Sequence, residues 1–252
     1  MTQNNTNKLP RIEIDINERV LFEDNHLIII NKLAGEIVQG DKTGDLPLVE
    51  KVKNYLKEKY NKPGNVFCGL VHRIDRPVSG AVIFAKTSKA LTRMNKIVQD
   101  RNITKTYWAL VEKTPEQPEG RLVHFIKKNE ALNKSIAINE EKKDYQRAEL
   151  EYKVLGKSKN YTLLEISLLT GRHHQIRAQL AATGATIKGD LKYGAKRSNK
   201  DGSISLHAVR IQFQHPVNKE NIILKAPILN GEFIKIISQI NSKNQKKQSY
   251  KL

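Results

Sequence analysis

The 252-residue sequence has a single cysteine, Cys68. An internal disulfide is excluded, and a reducing compartment, the cytoplasm, is the expected home. Cys68 lies in an apolar run, where a buried thiol is chemically quiet. No stretch of about 18 apolar residues is present to span a bilayer, and the opening residues, MTQNNTNKLP, lack the apolar core of a secretion signal. Acids are scarce beside bases: 26 Asp and Glu stand against 44 Lys and Arg, a formal charge of +18. That excess favours a polyanionic partner, and RNA, DNA or an anionic membrane surface would each fit. Neither a P-loop nor a G-x-G-x-x-G is present, which argues against a nucleotide-dependent enzyme. H-E-x-x-H and C-x-x-C are absent too. His173 and His174, next to each other on an expected helix, should point about 100° apart, and with His207 and His215 they form no metal-ligand pattern, so no metal is expected. Ser79-Gly80 lacks the flanks of a G-x-S-x-G nucleophile.

What is present is enough apolar residue, 38%, for one large domain or two lobes sharing a core. Residues 1–10 read as a disordered polar arm. Residues 11–241 read as a single unit with no Gly/Ser linker inside it, and 242–252, SKNQKKQSYKL, as a basic tail that either grips a polyanion or only solubilises the end. Ile12, Ile14 and Ile16 alternate as in a half-buried strand, and HLIIINK (26–32) is apolar enough for a central one. Residues 33–36 turn the chain. Asp45 is the expected cap, and Pro47 the first turn, of a helix burying Leu48, Val49, Val52, Tyr55 and Leu56. A second helix, capped by Thr87 or Ser88, buries Leu91, Met94, Ile97 and Val98. Strands follow over 101–112, 145–156 and 161–170, the last two joined as a hairpin. The expected class is α+β, with a mixed, largely antiparallel sheet flanked by helices and a cleft between two halves.

Two stretches carry chemistry. In VHRIDRPVSG (71–80) an acid, Asp75, stands between Arg73 and Arg76 on a turn that joins two apolar runs, VFCGLV and GAVIFA. A carboxylate where two buried elements meet needs cationic partners and can act as a nucleophile, a general base or an architectural ion pair. The second is LLTGRHHQIRAQLAATG (168–184), read as a strand end and a helix stopped at Gly184. His173, Arg177, Leu180 and Ala181 fall on one helical face, so Arg177 points toward apolar neighbours and requires an acid. Asp75 is one candidate; Glu165 and Asp190 are others. Arg172, ahead of the helix, is placed to hold a phosphate.

The stretch HRIDRPVSGAVIFAKT resembles the H-R-L-D-x-x-T-S-G-L-L-x-x-A-K signature of RNA pseudouridine synthases of the RluA type. LFEDNHLIIINKLAG, KTYWALV, LLTGRHHQIRAQL, KGDLKYG and LHAVRIQFQHP are similar, in order, to five further segments of that family, so the likeness covers roughly residues 20 to 216. It implies that Asp75 is the essential nucleophile on a uridine turned out of an RNA stack. Arg177 pairs with it, Tyr107 stacks on the target base and assists proton removal from C5, and Arg73 fills the space the base leaves. Arg172, Lys105 and Leu206, the last walling the uracil pocket, complete the expected substrate contacts. The reaction is an isomerisation, so no cofactor is expected. Pro77 and Val78 depart from the signature, and a hydroxyl usual at position 78 is missing. His173 stands where Thr is frequent, and GATIKGD lacks a usual His and Pro. The stretch ahead of the likeness is short for the S4-like domain that many relatives carry, so RNA gripping is expected to fall to the catalytic unit. A monomer acting on an rRNA or tRNA stem-loop is expected. The rival readings are an RNA-binding assembly factor without chemistry and a nonspecific DNA binder.

Overall fold

The structure, a computed structural model, describes residues 14–249, with side chains up to Ser242. The arm 1–10, Ile12 and the last residues of the tail lie outside the described residues. Eleven strands form one sheet: β1 (Val20–Glu23), β2 (Leu27–Lys32), β3 (Gly69–Leu70), β4 (Ser79–Ala85), β5 (Ile103–Val111), β6 (Glu119–Asn129), β7 (Lys134–Ile138), β8 (Gln146–Lys157), β9 (Thr162–Leu168), β10 (Leu206–Gln214) and β11 (Asn221–Lys225). Four helices flank it: α1 (Leu48–Lys59), α2 (Ser88–Gln99), α3 (Gln175–Ala182) and α4 (Gly231–Ser249).

The strand order is β1-β2-β4-β10-β5-β9-β8-β6-β7, with β3 added to β4 and β11 to β10. Every pairing among these strands is antiparallel except β4 with β10. That parallel seam is only two residues long, His207 opposite Ser79 and Ala208 opposite Gly80, and it joins the two halves of the sheet. Gly80 is required there: it has φ +118°, and a Cβ on it would fall 2.4 Å from the carbonyl oxygen of Ala208.

Both faces of β2 are covered, which is why HLIIINK reads as an unbroken apolar run. Ile28 and Ile30 pack with Leu48, Val52 and Leu56 of α1, while Leu27 and Ile29 pack with Ala90 and Met94 of α2. Each of the three α1 side chains is fully buried, worth about 1.5–3 kcal/mol apiece. Thr87 caps α2 by accepting from Ala90 N. α3 runs through the interior, with Gln175 to Leu180 all buried, and Gly184 takes its positive φ just past the helix end.

Several expectations are corrected. Residues 14–16 are not a strand: the chain bends into a short 3-10 turn at Asn17–Arg19, and β1 starts at Val20. Asp45 does not cap α1, whose N-cap is Pro47; its carboxylate instead pairs with Arg76. The run 66–71 keeps only Gly69 and Leu70 as strand, and α4 continues through 242–249, where a separate tail was expected. The hairpin of β6 and β7, which pair from Phe125–Ile138 to Asn129–Lys134, carried no strand expectation.

Candidate active site

Asp75 sits on the turn that feeds β4, at the seam between the halves. Every carbonyl from Asp75 to Val78 has a donor. Val78 N closes the turn onto Asp75 O (3.0 Å), Gly35 N donates to Arg76 O (2.7 Å), and Ile204 N donates to Pro77 O (3.1 Å). The fourth donor is Lys32, at the end of β2 and fully buried. Its Nζ donates to Val78 O (2.7 Å), Arg76 O (3.1 Å) and Leu33 O (2.8 Å). Burial pushes the Lys32 ammonium down to about 7, the charges of Glu36 and Asp75 offsetting this only in part. Pro77 and Val78 leave this scaffold intact, because the turn is closed by main-chain donors and by Lys32 Nζ, and Val78 is a core residue.

Arg177 projects from α3 and satisfies two of the acids considered for it. Nε and Nη2 hold the buried Asp190 at 2.7 and 2.9 Å, and Nη1 donates to Asp75 Oδ2 at 2.9 Å. Glu165 is no partner; it accepts from Trp108 Nε1. Neither Arg73 nor Arg76 bonds Asp75, so the cation facing it comes from 102 residues away rather than from its neighbours in sequence. His174 Nε2 lies 3.6 Å from the same Oδ2.

A cleft of about 440 Å³ opens over Asp75. Arg73, Lys105, Tyr107, Arg172, Arg177 and Leu206, the residues singled out from sequence, all line it. So does Arg101, which sequence gave no reason to choose: it takes φ +59° just after α2 and turns back to the cleft. The lining thus has five Lys and Arg against the single carboxylate of Asp75. Among the described residues Lys105 has no acid partner in bonding distance, and burial lowers its pKa. Tyr107 is 6% exposed. Burial first, and the Asp75 charge second, raise its phenol well above the usual range, so it is neutral at ordinary pH. Arg172 is anchored by Nε donating to Arg147 O (3.2 Å).

The histidines differ from expectation. His173 precedes α3, and His174, its N-cap, takes φ +51°, so the two rings stack at 3.8 Å rather than diverging. His207 bridges from Ser79 Oγ to Ala226 O, and His215 accepts at Nδ1 from Val217 N and Asn218 N within its own turn while its Nε2 lies 3.0 Å from Asp24 Oδ2 at the β1–β2 turn. Of the groups missed, Lys32 had a signal: a lysine ending a strand otherwise buried on both faces.

The fold is that of a pseudouridine synthase. A solved human structure, RNA Pseudouridylate Synthase Domain Containing 4, superposes with a TM-score of 0.74 at 21% identity, over 90% of this chain and 94% of that one. Sequence comparison goes further. A family model described as RNA pseudouridylate synthase matches residues 26–182. Ribosomal large subunit pseudouridine synthase C of Vibrio parahaemolyticus is 32% identical over 220 residues, 85% of this chain and 67% of that protein. Its namesake in Buchnera aphidicola is 33% identical over 217 residues, 83% and 67%. The chain belongs to the RNA pseudouridylate synthase family and is an RNA-modifying isomerase.

Proposed function

We propose that the chain converts a uridine in a ribosomal or transfer RNA stem-loop to pseudouridine, with Asp75 as the nucleophile. The observation that carries this reading is the Asp75 carboxylate, bonded on Oδ2 by Arg177 and set as the lone acid of a cationic cleft. A protein that only bound RNA would have no use for a negative charge there.

The uridine leaves its stack to enter the cleft, with Arg73 standing in for the displaced base and Arg101, Lys105 and Arg172 facing its phosphates. The C1′–N1 bond breaks, the uracil turns within the site, C5 bonds to C1′, and the C5 proton is lost while N1 gains one. Atoms balance without a cofactor. Asp75 serves either by attacking C1′ or by removing the C2′ proton to give a glycal. Both routes consume its charge, and that charge is one of the two causes holding Tyr107 neutral. Tyr107 stacks on the uracil as a neutral phenol; because bonding of C5 to C1′ frees the Asp75 carboxylate again, the phenol oxygen takes the C5 proton only by passing its own hydroxyl proton on to that carboxylate or to water. Leu206 walls the uracil. In this reading residues 11–241 are one catalytic unit acting as a monomer.

The test is to incubate the protein with unmodified large-subunit rRNA and tRNA transcripts and map pseudouridine by carbodiimide-dependent primer extension. A single enriched position in either RNA is expected. Tight binding with no new pseudouridine in either would favour an assembly factor.

A further inference from the structure

A chain of polar contacts leads to Asp75 from the side of the β6–β7 hairpin. The amide of Ser135, on β7, donates to the Tyr193 hydroxyl at 2.8 Å. Tyr193 Oη lies 3.0 Å from His174 Nδ1, and His174 Nε2 lies 3.6 Å from Asp75 Oδ2. A backbone amide can only donate, so the Tyr193 oxygen accepts there and keeps its own proton to give to His174 Nδ1, the ring nitrogen within reach. A neutral imidazole that accepts at Nδ1 carries its proton on Nε2, the nitrogen facing Asp75.

The imidazole is neutral. Burial, then the charges of Arg177 and the neighbouring His173, push it down to about 2. A protonated ring would also leave the Tyr193 proton without an acceptor.

The backbone adds an independent observation. His174 is the N-cap of α3, yet its side chain makes no capping bond and its φ of +51° is one that residues with a Cβ seldom adopt. That conformation is held from the side-chain end. His173 stacks on the ring, and Ser135 Oγ secures His173 at both its carbonyl (2.7 Å) and its Nδ1 (2.8 Å).

We propose that His174 is a positioning residue for Asp75: the relay from Ser135 through Tyr193 fixes the tautomer that presents Nε2–H to Oδ2, so that Oδ2 is the anchored oxygen and Oδ1 the reacting one. At 3.6 Å the last link is longer than a hydrogen bond, and such links tighten once substrate is bound. The proposal rests on Asp75 acting as described above.

Three variants test it, each read by single-turnover tritium release from uridine-5-tritiated RNA, RNA affinity and melting temperature. His174→Gln carries an amide N–H to the place of Nε2 and should keep the rate within about tenfold of wild type. His174→Asn suits the positive φ and keeps a polar atom near Tyr193 but cannot reach Asp75; its rate should fall about a hundredfold with RNA affinity unchanged. Tyr193→Phe frees the tautomer and should slow release about tenfold. A purely structural role reverses the order, with Asn as active as wild type and Gln impaired, and that result overturns the proposal. If neither His174 variant folds, an unchanged rate in Tyr193→Phe overturns it instead. No release by the wild type would count against the isomerase reading of Asp75, not against the relay.

Discussion

Arg177 reaches Asp75 through one nitrogen, Nη1, because its other two are held by Asp190. Asp75 is thus aimed by a cation that is itself aimed. Asp190 is almost fully buried, so Arg177→Ala strands one acid in the interior and releases another. The expected loss is about 3–5 kcal/mol of stability together with product formation. Denaturant midpoints and tritium release check both; normal melting with a normal rate would contradict the pairing.

Lys32 supports the same turn from behind. Lys32→Met fills the volume but leaves the Val78 carbonyl without a donor, and a buried polar group left unpaired costs about 1–3 kcal/mol. Stability should fall by about that much and kcat by more than KM rises, since the turn rather than the RNA surface is loosened. A variant as fast as wild type would show that Gly35 N and Ile204 N hold the turn unaided.

Tyr107→Phe keeps the ring and removes only the hydroxyl. RNA affinity should stay within about twofold while turnover falls at least about tenfold, as the proton on C5 loses its acceptor. Unimpaired turnover would confine Tyr107 to stacking.

Acid should unfold the protein through its buried histidines. Burial lowers His72 to about 3, His174 to about 2 and His207 to about 4. Below the ordinary histidine value, near 6.5, the unfolded chain protonates these three rings while the folded chain does not, and burial lowers His124 and His173 in the same sense, so stability falls as pH falls. The three rings alone contribute a slope of up to about 4 kcal/mol per pH unit. Unfolding titrations between pH 6.5 and 5, above the range where most carboxylates protonate, should show it, and His207→Gln should reduce it by about a third. A flat profile there would contradict the neutral state of these rings.

Much of this was legible in the sequence, and the reasons are local. The stripe Leu48, Val52 and Leu56 and the cap at Thr87 obey short-range rules, and the structure follows them. An inward arginine on α3 followed from spacing alone, but its sharing between Asp75 and Asp190 depends on residues 102 and 13 positions away. Asp45 misled because its charge serves Arg76 across the fold rather than its own helix. The stacked histidines were missed because periodicity assumes helical φ, which His174 does not have. Arg101 gave no signal, since only the packing of α2 brings its turn to the cleft.

In the proposed reaction the Asp75 carboxylate performs the chemistry. The most direct measurement is tritium release from uridine-5-tritiated RNA by wild type and Asp75→Asn side by side, with RNA affinity measured for both. Release by wild type alone is expected, with affinity equal or slightly higher in the variant because a negative charge near phosphate is gone. Equal release by both would contradict it.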